Sequence, residues 1–420
     1  MFNKSMDKYL LNYAEIESQD IAVVSSNYDY VVVIPICNED DECLASIFSN
    51  IDKTQSVLIV LVVNSPIDNP QSPLWMENNK IFIQKLIKNS SSDTTLYNNC
   101  QLLKTANFFD IILVNRNSKG QQIKANHGVG LARKIGSDIA LKYYYAGKIK
   151  YPWIFSTDAD VVLPGHYFFQ VGQFNPSSSA IVLDFEHYSD DEHLSKLQFY
   201  YDFKIRYYHA GITFAGSSYD YIPLGSTLIA SMLCYAQVRG FPKKNAGEDF
   251  YLLNKLAKIK SVSYCNVDSV VKIKSRFSNR VPFGTGPALL KINALVDINQ
   301  YKYYHPKCFI LLKKWLHFLH NMWKNNQLNI KSPNDGSISA LYDYLGCNNT
   351  FEKCKHQITS KTRWTQFVHQ WFDAFKTLKA VHYFNKNIKP LNYQQLLKSH
   401  AFAKVVNLKL KDFINKNDKI

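Results

Sequence analysis

The chain has 420 residues, 46% of them hydrophobic, 20% charged and 14% aromatic. That composition excludes a disordered or collagen-like protein and allows about two to three domains with sizeable cores. No run approaches the roughly 18 apolar residues of a membrane span, and the net charge of +15 is unevenly placed. Residues 1–300 carry 29 Lys+Arg against 28 Asp+Glu, and residues 301–420 carry 20 against 6. The opening "MFNKSMDKYLLNYAEIESQD" lacks a signal-peptide core. The eight cysteines have neither CxxC spacing nor the density of a disulfide framework. The expectation is a reduced, cytoplasmic protein.

In chain order, residues 1–27 form an N-terminal segment. The β-branched run Val31 to Ile34 reads as a strand ending at Pro35, followed by a helical pattern through Cys43, Leu44, Ile47, Phe48 and Ile51. "SVLIVLVVNS" and "FFDIILVNRN" read as further fully apolar strands. Between them, residues 65–107 are polar and read as an insertion with a helix near Lys80 to Lys88. "GVGLARKIGSDIALKYYYAG" predicts an amphipathic helix, and "PWIFSTDADV" the next strand. Continuous apolar strands alternating with helices predict an α/β fold with a mostly parallel sheet covered on both faces. Ligands in such sheets bind at the carboxyl ends of the strands. Pro35–Cys37, Asn64, Asn115–Asn117 and Asp158–Asp160 fall at those ends.

Residues 301–420 change character and predict a basic, aromatic, mainly helical region. Cys308, Leu312, Trp315, Leu319 and Met322 have helical spacing, as do Trp364, Phe367, Trp371, Phe375 and Leu378. Core packing is the commoner reason for such stripes. The alternative is an interfacial helix on an anionic membrane, with Lys on one face and Trp on the other.

Asp158 and Asp160 are two apart on an extended segment, so they point to one side and repel. A positive partner is required, and a hard divalent cation is the natural candidate. "NAGEDFYLLNKL" supplies a second carboxylate pair, Glu248 and Asp249, at the start of a helix. A positioned carboxylate can take a proton from a reacting hydroxyl. In "KSRFSNRVPFGTGPAL", Arg276 and Arg280 could clamp phosphates as bidentate donors.

Five segments in order, over about residues 28–290, resemble family 2 glycosyltransferases of the GT-A fold. They are "VVVIPICNED", "GVGLARKIGSDIAL", "FSTDADV", "PLGSTLIASMLCYAQVRGFP" and "NAGEDFYLLNKL". The resemblance implies a Rossmann-like GT-A domain over 28–300 and a helical extension over 301–420. It implies that Pro35, Cys37, Glu39, Asn64, Arg133 and Asp158 border the nucleotide or its phosphates, beside the phosphate clamp read above for Arg276 and Arg280. It assigns Mn²⁺ or Mg²⁺ to Asp160 with Asp158, the general base to Asp249, and a supporting role to Glu248. The implied donor is a UDP- or GDP-sugar and the acceptor a carbohydrate or lipid-linked hydroxyl, met on the cytoplasmic face of a membrane. The Gln-x-x-Arg-Trp motif of processive members is absent, which points to transfer of a single sugar. "VVNSPIDN" stands where many members have Asp-Asp-x-Ser, so Asn64 brings no charge to the base. No His lies between Asp249 and His305 to act as a further ligand. Two other functions compete: nucleic-acid binding through the basic region, which lacks any recognised motif and is not expected, and an inactive family member that binds nucleotide sugars.

Overall fold

The computed structural model describes residues 4–39, 42–168, 177–265 and 270–417. Asp40, the last residue of the first quoted segment, lies outside them. The chain divides into two compact units, residues 1–190 with 223–287, and residues 191–222 with 288–420.

The strands of the first unit are β1 (Tyr30–Ile36), β2 (Val57–Asn64), β3 (Ser92–Tyr97), β4 (Cys100–Lys104), β5 (Phe109–Arg116) and β6 (Trp153–Ser156). They continue with β7 (Val161–Val162), β8 (Ala180–Leu183), β9 (Phe185–Tyr188), β10 (Leu228–Ser231), β11 (Val262–Cys265) and β12 (Val271–Lys274). Nine of these form one sheet in the order β11-β8-β10-β6-β1-β2-β5-β4-β3. The central strands β6, β1, β2 and β5 are parallel, and only β10 and β4 run against the common direction. This is a mixed α/β architecture with a mostly parallel sheet. The reason is visible in β1 and β2, whose every residue is buried. A strand with no polar face needs cover on both sides.

The helices begin with α1 (Lys4–Asn12), α2 (Ile16–Asp20), α3 (Cys43–Ile47), α4 (Ser72–Lys88) and α5 (Gly128–Tyr145). After α6 (Glu192–Ala215), which belongs to the second unit, come α7 (Met232–Gln237), α8 (Glu248–Ala257) and α9 (Thr285–Asn293), whose residues from Ala288 onward also belong to the second unit. Helix α5 packs on β1 and β2 and buries Ala132, Ile135, Ile139 and Ala140 completely. Residues 65–107 hold α4, longer than the predicted helix, and the hairpin β3–β4 that extends the sheet. The hairpin was not legible because β3 is a polar edge strand, with four of its six residues exposed. Polar side chains on an edge discourage pairing with other chains.

Pro35 lies inside β1, opposite Val62, rather than after it. A second, three-stranded sheet, β7-β12-β9, stands beside the aspartates: the Lys274 amide donates to the Asp160 carbonyl at 2.8 Å.

The second unit is helical: α6 is joined by α10 (Lys307–His320), α11 (Gly336–Tyr344), α12 (Cys347–Cys354), α13 (Lys361–Trp371) and α14 (Ala374–Lys386). Short α15 (Tyr393–Leu397), α16 (His400–Val405) and α17 (Leu408–Asn417) complete it. Its core gathers Phe203 and Tyr207 of α6 with Phe309, Leu312, Trp315, Phe351 and Trp364. Trp315 and Trp364 are 0% and 1% exposed, and the Trp364 indole donates to the Leu319 carbonyl at 2.8 Å. Trp323 and Trp371 are half-buried against the same core. The stripes therefore face inward. The stripe from Trp364 to Leu378 is two helices, because Asp373 caps α14 by accepting from the Lys376 amide. No described helix is long and apolar enough to cross a membrane, and the cysteines form no disulfide among the described residues.

Candidate active site

Strand β6 ends at Ser156, and Thr157 fixes the next step. Its amide donates to the Val33 carbonyl at 3.1 Å and its hydroxyl to the Ser226 carbonyl at 3.0 Å. Beyond it the chain enters a turn at Ala159 and Asp160, with Asp158 and Asp160 half-buried and Ala159 buried. The turn departs from the extended alternation that the spacing predicts, and the two carboxylates remain near enough that the Asp158 charge adds to the rise of the Asp160 pKa.

What lies next to them is guanidinium. Arg133 of α5 is 2% exposed. Its Nη2 donates to Asp158 Oδ1 at 2.5 Å, its Nε to Glu248 Oε1 at 2.9 Å, and its Nη1 to Ser156 Oγ at 2.7 Å and the Thr157 carbonyl at 3.2 Å. One buried side chain therefore joins the Asp-x-Asp segment to the Glu-Asp pair. Glycine is required opposite it, since a Cβ on Gly225 would lie 2.3 Å from Arg133 Nη2. The segment "PLGST" carries this signal only once the arginine's place is known. A second close approach sets the angle of α8. The Gly130 amide donates to the Lys244 carbonyl at 2.8 Å, and any Cβ there would strike the Pro242 and Lys244 carbonyls. The glycines of "GVGLAR" thus let α5 meet the backbone that leads into Glu248.

Glu248 and Asp249 open α8, where the helix dipole favours negative charge. Glu248 is 4% exposed, and burial raises its pKa despite Arg133. Asp249 is half-buried, accepts from the Phe250 amide at 2.6 Å, and is pushed up to about 7, first by burial and then by the Glu248 charge. A carboxyl poised there exchanges a proton near neutrality.

Asp160 pairs through Oδ2 with Arg276 Nη2 at 2.8 Å. Arg276 also makes a two-pronged bond to Glu39, at 2.7 Å on each oxygen. Arg280 Nη1 donates to Glu39 Oε1 and to the Cys37 carbonyl, both at 2.5 Å. Burial pushes the Asp160 carboxyl up to about 6, with Arg276 opposing and Asp158 and Glu39 adding to the rise. Burial would raise Glu39 as well, but the two arginines hold it below the usual range. The Cys37 thiol is pushed up to about 11 by burial and stays neutral.

The structure thus gathers Glu39, Arg133, Asp158, Asp160, Glu248, Asp249, Arg276 and Arg280 along the carboxyl edge. Two expected nucleotide neighbours have other partners. Pro35 is buried in the sheet. Asn64 is 6% exposed and donates its amide to the Ile36 carbonyl at 2.9 Å. Asn79 and Asn117, also buried, continue that network: Asn79 donates to the Asn64 carbonyl and to Asn117 Oδ1. These asparagines brace strand ends.

The charges bear on metal binding. Five carboxylates stand against three guanidiniums in this group, which leaves room for a cation. Asp158 and Asp160 each use one oxygen in an arginine pair. Among the described residues no three His, Cys, Asp or Glu side chains form a cage. Mg²⁺ and its kin need only one or two carboxylates when phosphates supply the other ligands, so the donor set fits a phosphate-bridged ion.

No protein-family model and no curated protein sequence matches the chain. Among solved structures it is similar to Staphylococcus aureus TarS 1-349 in complex with UDP-GlcNAc (10% identity, TM-score 0.32, 93% of this chain and 91% of that one). It is also similar to the mannosyltransferase PcManGT from Pyrobaculum calidifontis in complex with GDP-Man and Mn²⁺ (13%, 0.34, 92% and 95%). A third is glucosyl-3-phosphoglycerate synthase from Mycobacterium tuberculosis in complex with phosphoglyceric acid (11%, 0.29, 59% and 70%). Scores this low carry no weight in reading the site, which stands on its own residues.

Proposed function

We propose that the chain is a GT-A glycosyltransferase of the family 2 type, moving one sugar from a UDP- or GDP-sugar to a hydroxyl of a carbohydrate or lipid-linked acceptor. The observation that carries this reading is the bridge made by Arg133, which brings Asp158 and Glu248 to one guanidinium from positions 90 residues apart. Beside it Asp249 has a pKa near neutrality.

In this reading the acceptor oxygen attacks the anomeric carbon, its proton passes to Asp249, and the bond from that carbon to the diphosphate oxygen breaks. Attack from the face opposite the diphosphate inverts the centre. Glu248, fixed by Arg133, keeps Asp249 basic by like charge. Arg276 and Arg280 supply phosphate donors. Asp160 with Asp158 would hold Mn²⁺ or Mg²⁺, which when bound stabilises the charge on the departing diphosphate. The basic helical unit adds attraction to anionic surfaces on the cytoplasmic side, through charge alone because its tryptophans are engaged in the core.

A thermal-shift panel of UDP, GDP, CDP and TDP with and without Mn²⁺ tests the reading. A ligand at 100 times its Kd stabilises by about 2.7 kcal/mol, so one nucleotide stands out when Mn²⁺ is present. A panel in which no nucleotide stabilises the protein overturns it, and retention on nucleic acid that falls with salt would favour the basic unit as the functional element.

A further inference from the structure

We propose that Arg276 is a built-in competitor for the cation subsite, so that the chain takes up a divalent cation and a nucleoside diphosphate together rather than singly. The proposal rests on the glycosyl-transfer reading and concerns how that site is loaded.

The geometry is that of a shared negative charge. Glu39 is contacted by two guanidiniums at once, Arg276 through both of its oxygens and Arg280 through Oε1. One carboxylate cannot neutralise both, and the remaining positive charge lies on Asp160, 2.8 Å from Arg276 Nη2. A cation arriving alone must take Asp160 from Arg276 and meet that guanidinium at close range. Among the described residues it also finds no group of three ligating side chains. A diphosphate arriving alone finds Arg276 and Arg280 already engaged by Glu39 and Asp160, and brings its own negative charge beside Asp158 and Asp160. Together, the two ligands remove each other's obstacle. Phosphate oxygens accept from Arg276 in place of Asp160, since guanidinium binds phosphate as readily as carboxylate. Asp160, freed from Arg276, would then be available to hold the ion together with phosphate oxygens. Such mutual assistance is reciprocal: each ligand tightens the other by one common factor.

The segment that carries the arginines suits the exchange. Residues 275–284 connect β12 to α9 and leave Phe277 and Phe283 40% and 56% exposed. The Arg276 side chain is itself 36% exposed. Moving the guanidinium from one oxygen acceptor to another therefore opens no core.

The test is Mn²⁺ binding to the whole chain, followed by the electron paramagnetic resonance signal of free Mn²⁺, alone and with UDP or GDP. In the wild type the favoured nucleotide should tighten Mn²⁺ by about 5–150-fold, the usual range for coupled sites. Arg276→Gln should bind Mn²⁺ alone several-fold more tightly than the wild type, and the gain from nucleotide should shrink toward onefold. Arg276→Lys keeps a positive charge and should keep part of that gain. Circular dichroism confirms that each variant is folded. If Arg276→Gln binds Mn²⁺ alone no better than the wild type, while Asp160→Asn abolishes binding, the competition is wrong and the metal site stands. If the wild type binds no Mn²⁺ even with UDP or GDP present, the glycosyl-transfer reading fails and the competition fails with it.

Discussion

The first unit carries 25 Lys+Arg against 23 Asp+Glu, and the second 24 against 11. By net charge the second is the electrostatically remarkable one only in bulk. Its lysines are outside: Lys313, Lys314, Lys331, Lys353, Lys361 and Lys379 are all exposed, over a core of Trp, Phe and Tyr. The nearly neutral first unit does the reverse. It places Arg133 and Glu248 in its interior and brings Asp158, Asp160, Asp249 and Glu39 to the same edge. Charge held in water is cheap and weakly coupled, whereas charge held under protein shifts pKa values and demands partners. Neutral bulk with concentrated internal charge marks the unit where chemistry is expected.

Four experiments press on this contrast. The largest effect belongs to Asp249→Asn, which keeps shape and donor affinity but cannot accept a proton. Turnover of the donor identified by thermal shift should fall about 10²–10⁴-fold, read as release of nucleoside diphosphate. Near-normal turnover would move the base elsewhere in the group.

Next is Arg133→Met, which leaves Asp158 and Glu248 facing each other without a cation. Breaking a buried pair typically costs about 3–5 kcal/mol, measurable as a lower urea midpoint. A loss under 1 kcal/mol would mean that the internal charges of the first unit are as loosely coupled as those of the second.

A smaller effect concerns pH. The Asp249 pKa in the fold, about 7, lies above its ordinary value of 3.8. The stability tied to this group is therefore fully present below about pH 4 and lost as pH rises through 7. The full shift is worth about 4 kcal/mol, and partial access of water reduces this to roughly 2. Asp249→Asn should abolish that fall, so that the variant is more stable than the wild type at pH 8. Equal stability at pH 8 would place Asp249 in a wetter setting.

The smallest effect is on the other side of the comparison. Lys331→Ala and Lys361→Ala should each change stability by less than about 0.5 kcal/mol. Their consequence, if any, is in flotation with anionic liposomes at low salt, where each basic side chain near the surface contributes about 1 kcal/mol. Absence from the lipid layer at low salt would leave these lysines with a solvating role alone.

Much of this arrangement was legible in the sequence because it is local. The parallel strands declare themselves as unbroken apolar runs, whereas the turn at Ala159 and Asp160 interrupts the alternation read for the two aspartates. What was not legible is what depends on pairs distant along the chain. Asp158 needed a positive partner, and nothing in its own segment named Arg133. Arg276 and Arg280 looked like phosphate donors, and their hold on Glu39, more than 230 residues away, had no local signature. Asn64 read as a ligand contact since strand ends bind ligands, and the bond from its amide to the Ile36 carbonyl had no local signature. The polar edge strand β3 escaped because exposed strands need no apolar residues. Helix α6 was not anticipated as a member of the helical unit, since partners such as Tyr304, Phe309 and Phe402 lie far downstream.

That last feature bears on how the protein is made. Helix α6 is synthesised before every other segment of its own unit, and its Phe203 and Tyr207 pack with residues as late as Phe402, beside core members as late as Leu410. At about 5–20 residues per second on the ribosome, the wait from Tyr207 to Leu410 is roughly 10–40 s. Until Tyr303 and Phe309 are made the aromatic helix face has no native cover, and its cover stays incomplete until Phe402. Slowing or arresting translation between residues 222 and 410 should therefore yield insoluble product in larger proportion than the same delay placed after Leu410.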